Sequence, residues 1–582
     1  MVISRHVYFL FLTCLVSMAC LQFAFAEEQP LYTLKQLDDR PELHDQITKL
    51  IDAKYAGIEN EEDLPRAQAL FLDILTALRA LGYYDAYVER VKPEQRPYTF
   101  SVYPGKIYTI SDITLTGNGQ VETLPEKIII AEGQPIIAQD ILIAKGDLYD
   151  AESKQGCAYS LDVTEGVQLN RKRKSGDVRF DVERGQEATF GALTYQNRGT
   201  VKQSYLDQLV RYEEGECWKR VKLESLQNKL LKSGLFSSAS IEIPDDPDEN
   251  GSVPVTINLK ERAHRSISLG ASYYTDEGPG VSAGWAHRNL FGSAEKLSVD
   301  LTVSALLQEL STSFAKPFVL GRKNTFRADA SIAHEDTDAY EETNFQIGGY
   351  IDRAFSSTSK GSTGLALELT EIKDEDETRT FGLVSVPTSF SQDKRDDVLN
   401  PHKGYQWSAS ATPFFDALGE ASPFTKMRLT GSTYFDLSDG RFDPVIALRA
   451  SVGSIVGSSR SNVPRSKRFF AGGGGSIRGF GYQEAGPEDD SGDPIGGRSL
   501  FEASGEFRFK VTDSIGMVAF VDAGNVYETN YPDLSEDLYV GAGLGLRYYT
   551  GFGPVRFDVG VPVTERGNAD AFQIYISLGQ AF

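Results

Sequence analysis

After residue 26 the chain contains no apolar run near the roughly 18 residues that a membrane-spanning helix needs. Positive charge is also short. Lysine and arginine number 59 against 82 acidic residues, a formal net charge of −23. Nucleic-acid affinity rests on clustered Lys and Arg, so nucleic-acid partners are excluded. Histidine is sparse: after residue 26 it occurs only at His44, His264, His287, His334 and His402. None of these forms a ligand pair such as H-E-x-x-H, and no metal or cofactor site is visible. No glycine run fits the dinucleotide fingerprint G-x-G-x-x-G. Gly474 and Gly479 stand at the separation of a phosphate-binding loop, but Phe480 occupies the place of its lysine.

The N-terminus does carry an apolar run, from Val7 to Phe23, behind Arg5 and His6. Ala24-Phe25-Ala26 then offers small residues at both positions of a cleavage site. This pattern predicts a secretory signal peptide over residues 1–26 rather than an anchor. Ser17 stands where a lipoprotein site at Cys20 would have leucine. Cleavage leaves Cys157 and Cys217, which either pair in an oxidising compartment or stay as isolated core thiols. The mature chain is then soluble outside the cytoplasm or spans a membrane as a closed barrel, since only helices and barrels satisfy their backbone in lipid.

Three segments before residue 265 look alike: "LGYYDAYVERV", "QGCAYSLDV" and "SGLFSSASIEI", with glycines at Gly82, Gly156 and Gly234. Each precedes a second strand-like run, "YTFSVYPG", "VRFDVERG" and "VTINLKER". Helical spacing of apolar residues leads in, clearest in "LPRAQALFLDILTALRAL" and "VKLESLQNKLLKSGLF". The reading is three α+β units, over residues 27–106, 107–187 and 188–264, each built of helices and then a hairpin. One large α+β domain is the alternative. "YTISDITLTGNG" and "ATFGALTYQNRG" add leading strands to the second and third units; the first shows none. Cys157 is expected to begin a strand of the second unit and Cys217 to precede a helix of the third.

From about residue 265 the period becomes two. In "LFEASGEFRFKV", Phe501, Ala503, Gly505, Phe507 and Phe509 share one face, and Glu502, Ser504, Glu506, Arg508 and Lys510 the other. "KLSVDLTVSA", "GPVRFDVGVPV" and "AFQIYISLGQAF" alternate in the same way. A soluble sandwich with one wet face would also alternate. At roughly 9–11 residues per membrane strand, however, residues 265–582 hold about sixteen strands, an even number that suits an outer-membrane barrel. The terminal Phe582 reads as an interfacial aromatic on a closing strand.

Between two strand-like runs lies "FFAGGGGSIRGFGYQEAGP", Phe469 to Pro487. A flexible linker would not carry Ile477, Arg478, Phe480 and Tyr482. The stretch is expected to fold into the barrel, with Arg478 facing carboxylates of the inner wall: Glu506, on the polar face of its strand, or Asp522. "GVSAG", Gly280 to Gly284, matches a nucleophile elbow by letter, but its context is strand-like with no helix to follow, so no catalysis is expected.

These motifs resemble the BamA/TamA outer-membrane assembly family and its two-partner-secretion relatives. "SIRGFGY" is similar to that family's lid-loop motif. "GGRSLFEASGEF" and "FVDAGNVY" are similar to its next two strand motifs, while "WAHRNLFG" and "ISLGQAF" fit the same barrel. The N-terminal units resemble POTRA domains. The resemblance implies three POTRA-like domains and a transmembrane antiparallel β-barrel, with a lid near residues 469–487 in which Ile477, Arg478, Gly479 and Phe480 are the motif and Glu506 and Asp522 its wall partners. It implies a bacterial outer membrane with the POTRA units in the periplasm, no enzyme activity and no cofactor. Partners would be the lipid bilayer, unfolded outer-membrane clients and, if the chain follows the three-unit TamA branch that assembles autotransporters, a TamB-like partner anchored in the inner membrane. A two-partner-secretion exporter or a passive pore is the rival reading. A seam between roughly residues 266–274 and 572–582, marked by Gly270, Gly579 and Phe582, is expected to pair poorly, because glycine weakens a strand.

Overall fold

The structure is a computed structural model; it describes residues 31–55, 67–92, 97–125, 128–275, 277–374, 377–437, 442–551, 553–564 and 571–582. The predicted signal peptide, residues 1–26, lies outside them. Among the described residues no helix is long and apolar enough to cross a membrane. The chain divides into two compact units: Met1–Ala192 with Tyr212–Glu224 and Ile243–Val255, and Leu193–Arg211 with Ser225–Glu242 and Thr256–Phe582. Residues 188–264, the expected third repeat, fall partly in each unit.

The first sheet has three strands. Tyr98–Tyr103 lies between Tyr87–Lys92, antiparallel, and Tyr32–Lys35, parallel. The last of these is a leading strand that the sequence did not disclose, because four residues are too few to show a period. Helices Pro41–Tyr55 and Ala67–Ala80 cover the sheet. Their buried residues fall at helical spacing, Leu43, Ile47 and Ile51 on one and Leu70, Ile74 and Ala77 on the other. Each large apolar side chain buried this way stabilises by about 1.5–3 kcal/mol. A four-stranded sheet follows, in the order Gln120–Glu122, Thr109–Gly117, Ser175–Arg184, Leu161–Asn170, behind helix Ala138–Gln155. A third sheet orders Thr189–Gln196, Ser252–Glu261 and Phe236–Glu242.

The repeat is imperfect at its glycines. Gly82 and Gly234 take positive φ, +89° and +71°, whereas Gly156 is an extended residue at the end of its helix with φ −81°. Cys157 follows that helix and begins no strand; the strand starts at Leu161. The residues between turn the chain beside Glu187 through an isolated bridge at Ala158. Cys217 precedes helix Arg220–Lys232. The two cysteines are joined in a disulfide with Cα atoms 5.1 Å apart.

The remaining strands close into one antiparallel barrel. Glu377–Ser385 and Thr388–Asp393 both lie between Ser359–Asp374 and Gly404–Asp416. They are halves of one strand, interrupted where Pro387 has no N–H to give the ladder. Counted so, the barrel has sixteen strands. Alternation sorts the faces as the period of two requires: Leu269 is 82% and Phe507 43% exposed on the lipid side, while Glu506 is 2% exposed on the lumen side. The last strand differs from the expectation. It ends at Leu578, and Phe582 is not an outer interfacial aromatic. Gly579 takes φ +93°, a left-handed conformation that glycine adopts without strain. The chain turns there, and Phe582 packs inside against Tyr434, Val445 and Ala447.

Candidate functional site

The glycine-rich stretch lies inside the barrel, between strands Val445–Val456 and Ser499–Lys510. Ile477 and Phe480 are buried with Ala485, Leu500, Val526 and Tyr539 in one apolar cluster, and Phe480 meets the Tyr539 ring edge-on at 5.3 Å. Gly479 sits at φ +104°, and a Cβ there would lie 2.7 Å from the backbone carbon of Val561. The wall answers with its own glycine: a Cβ on Gly560 would lie 2.8 Å from the Gly479 nitrogen. Main chain presses on main chain, and any side chain would hold them apart. The Gly479 N–H donates to the Tyr575 hydroxyl at 3.1 Å, tying the loop to the last strand.

Arg478, 2% exposed, is clamped by three carboxylates. Its Nε and Nη2 donate to the two oxygens of Asp522 at 2.7 and 2.9 Å, and its backbone N–H donates to Asp522 Oδ2 at 3.1 Å. Nη1 reaches Glu506 Oε1 at 2.7 Å and Asp558 Oδ2 at 3.1 Å. The guanidinium stacks over Phe520, 3.6 Å from the ring centre. This planar fork can serve several carboxylates at once, which a lysine could not. Glu506 and Asp522 are thus placed where the sequence reading put them. Asp558 was missed, although "VRFDVGV" put it on the polar face of its strand. Also missed were three further wall arginines. Arg508 bonds Glu506 Oε2 at 2.8 Å, Arg547 bonds Asp558 Oδ1 at 2.5 Å, and Arg556 stands 3.5 Å from Asp558. Four guanidinium groups and three carboxylates make one buried network.

The second feature is the seam. Strand Arg265–Tyr274 pairs along its whole length with Gly278–His287. With the last strand, Gln573–Leu578, it pairs only at Tyr273↔Ile576 and Tyr274↔Tyr575, helped by Thr275 N–H to the Ile574 carbonyl at 3.1 Å. Among the described residues, Arg265–Ser272 have no strand partner on that side. Continued by three residues, the register brings Gly270 opposite Gly579, where the last strand leaves the sheet. Along the unpaired length the lumen side of the first strand carries Ser266, Ser268, Gly270 and Ser272, all small; the large Tyr274 stands at the paired end, its ring 5.9 Å from that of Tyr575. A cavity of about 390 Å³ lies here, bordered by Gly270, Ser282, Tyr482 and Ser577.

Ser282 of the G-x-S-x-G match lies mid-strand with no helix following. Among the described residues no group of three or more His, Cys, Asp or Glu side chains could hold a metal ion. The segment 193–211 of the third repeat docks on the barrel: Tyr205 stacks on Phe318 at 5.5 Å, and the Lys202 N–H donates to the Gly292 carbonyl at 2.7 Å.

A family model described as the Omp85 superfamily domain matches residues 289–582, and one described as POTRA, surface antigen variable number repeat, matches residues 188–262. Over 530 residues the chain is 24% identical to the outer membrane protein assembly factor BamA of Nitratidesulfovibrio vulgaris, covering 86% of this chain and 66% of that protein. It is 21% identical over 547 residues to the BamA of Neisseria meningitidis serogroup B, covering 82% and 66%. The chain thus spans just under two thirds of the length of these two curated relatives. In fold it is similar to the crystal structure of BamA from Haemophilus ducreyi lacking POTRA domains 1–3, with a TM-score of 0.64 at 17% identity over 81% of this chain and all of that one.

Proposed function

We propose, from the premise that the chain belongs to the Omp85 superfamily, that it is an assembly factor that inserts β-barrel proteins into the outer membrane through its seam. It is an outer-membrane protein whose POTRA region lies in the periplasm. The observation that carries the reading is the first strand, whose hydrogen-bonding edge from Arg265 to Ser272 is unpaired toward the last strand. Unpaired backbone in lipid costs several kcal/mol per group, so this edge stays open only while another strand or water replaces the lost bonds. An incoming client strand supplies them by adding to the edge, through main-chain bonds that are tolerant of sequence. The client's own burial provides the energy, and the chain performs no catalysis and uses no cofactor. The lid, anchored through Arg478, braces the wall beside the seam.

The finer reading follows the TamA branch. Three POTRA-like units, residues 27–106, 107–187 and 188–264, receive clients such as autotransporters and dock a TamB-like partner anchored in the inner membrane. The third unit, which rests on the barrel through Tyr205 and Lys202, hands the client on. The test is photo-crosslinking during client assembly. A crosslinker at Leu269, on the lipid face of the first strand, is expected to capture strands of a nascent barrel. A soluble substrate captured only from lumen positions such as Ser282 would replace this reading with that of an exporter.

A further inference from the structure

The four residues after the last strand are held to the inner wall of the preceding strands by residues of the lid network. The Gln580 amide oxygen accepts from Arg547 Nε at 2.7 Å, and its nitrogen donates to Asn400 Oδ1 at 2.9 Å. The Phe582 carbonyl accepts from Arg508 Nη2 at 3.1 Å, and the Arg508 guanidinium lies 5.3 Å from the centre of the Phe582 ring. Arg508 and Arg547 are 3% and 1% exposed. Each also holds a carboxylate that grips the lid: Arg508 bonds Glu506, Arg547 bonds Asp558, and both carboxylates bond Arg478. Lid and tail therefore share their anchors.

The alternative path of the tail follows from register and parity. Extending the pairing Tyr273↔Ile576 sets Gly579 against Gly270, Ala581 against Ser268 and Phe582 against Ile267. That conformation would close the seam over the first strand. It would also place Gln580 on the lipid face, because Ile576 and Leu578 point outward, at 36% and 54% exposure. Inside, Gln580 keeps two hydrogen bonds and the aromatic ring keeps its packing. The two paths trade backbone pairing at the seam against polar satisfaction in the lumen.

We propose that Arg508 and Arg547 are positioning residues that latch the tail, Gly579 to Phe582, inside the barrel and thereby hold the seam short. Loosening the lid frees their carboxylates and weakens the latch, so the tail can zip onto the first strand. The inference rests on the seam reading of the function, but its test does not need a client. Ser268→Cys with Ala581→Cys places two thiols on the lumen side that meet only when the tail is zipped; Cys157 and Cys217 are already paired. With the latch intact, oxidation is expected to cross-link a minor fraction. Arg508→Met should raise the yield at least fivefold, and so should Phe582→Ala, which alters no charged wall residue and keeps the barrel folded. Migration of unheated protein as a compact barrel on a gel identifies the folded fraction, and the yield is read on that fraction alone. A high yield with the latch intact, or a yield that neither substitution changes, overturns the latch. Client insertion is scored separately. If latch variants change the cross-link while a cross-linked seam still inserts clients, the latch stands and the assembly reading falls.

Discussion

Replacing Arg478 by alanine tests the lid, and the structure sets the size of the effect. Its three carboxylates are not equally exposed to the loss. Glu506 keeps Arg508, and Asp558 keeps Arg547 and Arg556. Among the described residues, the side-chain bonds of Asp522, 0% exposed, all come from Arg478. Breaking a buried pair by removing one partner costs about 3–5 kcal/mol, because the remaining charge is stranded. Most of that cost here falls on Asp522. At 1.4 kcal/mol per factor of ten, the population with the loop released rises about 10²- to 4 × 10³-fold. Chymotrypsin cutting after Phe480 or Tyr482 reads that population directly when reclosure outruns cleavage. Adding Asp522→Asn removes the stranded charge, so the double variant should recover at least a tenth of the lost protection. Arg478→Lys should fall between, since a point charge cannot grip both oxygens of Asp522. If the double variant is cut as fast as Arg478→Ala alone, or if Arg478→Ala is cut like the parent, the clamp does not hold the lid.

Cysteines placed at Gly270 and Gly579, opposite each other in the continued register, should lock the seam when oxidised; client insertion should stop and return on reduction. Reducing Cys157–Cys217 should lower the melting temperature of the periplasmic region, since a crosslink spanning 60 residues contributes about 4 kcal/mol in the chain-entropy account; two free thiols in unreduced protein would remove the premise. Glu122 is held below its usual range by the Arg184 guanidinium, which bonds it at 2.8 Å. A depressed carboxylate stabilises fully above its unfolded value, near 4.5, and loses that contribution as pH falls through the folded value. Glu122→Gln should therefore flatten only the acid limb of a thermal stability profile, leaving neutral pH behaviour with one constant offset. On the finer reading, deleting residues 27–187 should weaken docking of the proposed TamB-like partner and leave an inserted barrel; undiminished partner binding by that truncation would count against a docking role for the first two units.

Much of the barrel was legible because its physics is local. Alternation with a period of two states which side of each strand is wet, and it puts Glu506 toward the lumen; in "FVDAGNVY" the alternation is less clean, and Asp522 was singled out by its motif. Arg478 was legible because a lone cation among glycines needs a partner. Asp558 was not chosen, since alternation gives the face of a residue but not its height, and only closure of the sheet brings strand Gly553–Pro562 beside the lid. The tail was misread for a similar reason. "ISLGQAF" continues the alternating pattern past Gly579, and nothing local says that a glycine at φ +93° turns the last residues onto Arg508 and Arg547. In the repeats, helices long enough to show their spacing were found, while the four-residue strand Tyr32–Lys35 was not.

The two sides of the seam differ in stiffness, and that difference decides which side moves. On the last strands the lumen face carries Glu506, Asp522, Arg547, Arg556 and Asp558, all buried and joined to the lid. Interactions of this kind are strong where water is excluded, and displacing one strand would strand charges on its neighbours. On the first strand the same face carries Ser266, Ser268, Gly270 and Ser272 along the unpaired length, with Tyr274 only at its paired end. Little is lost there when the strand swings out. On the proposed assembly reading, a client meets a yielding edge against a fixed wall and adds strands at Arg265–Ser272 while the lid keeps the rest of the barrel in register.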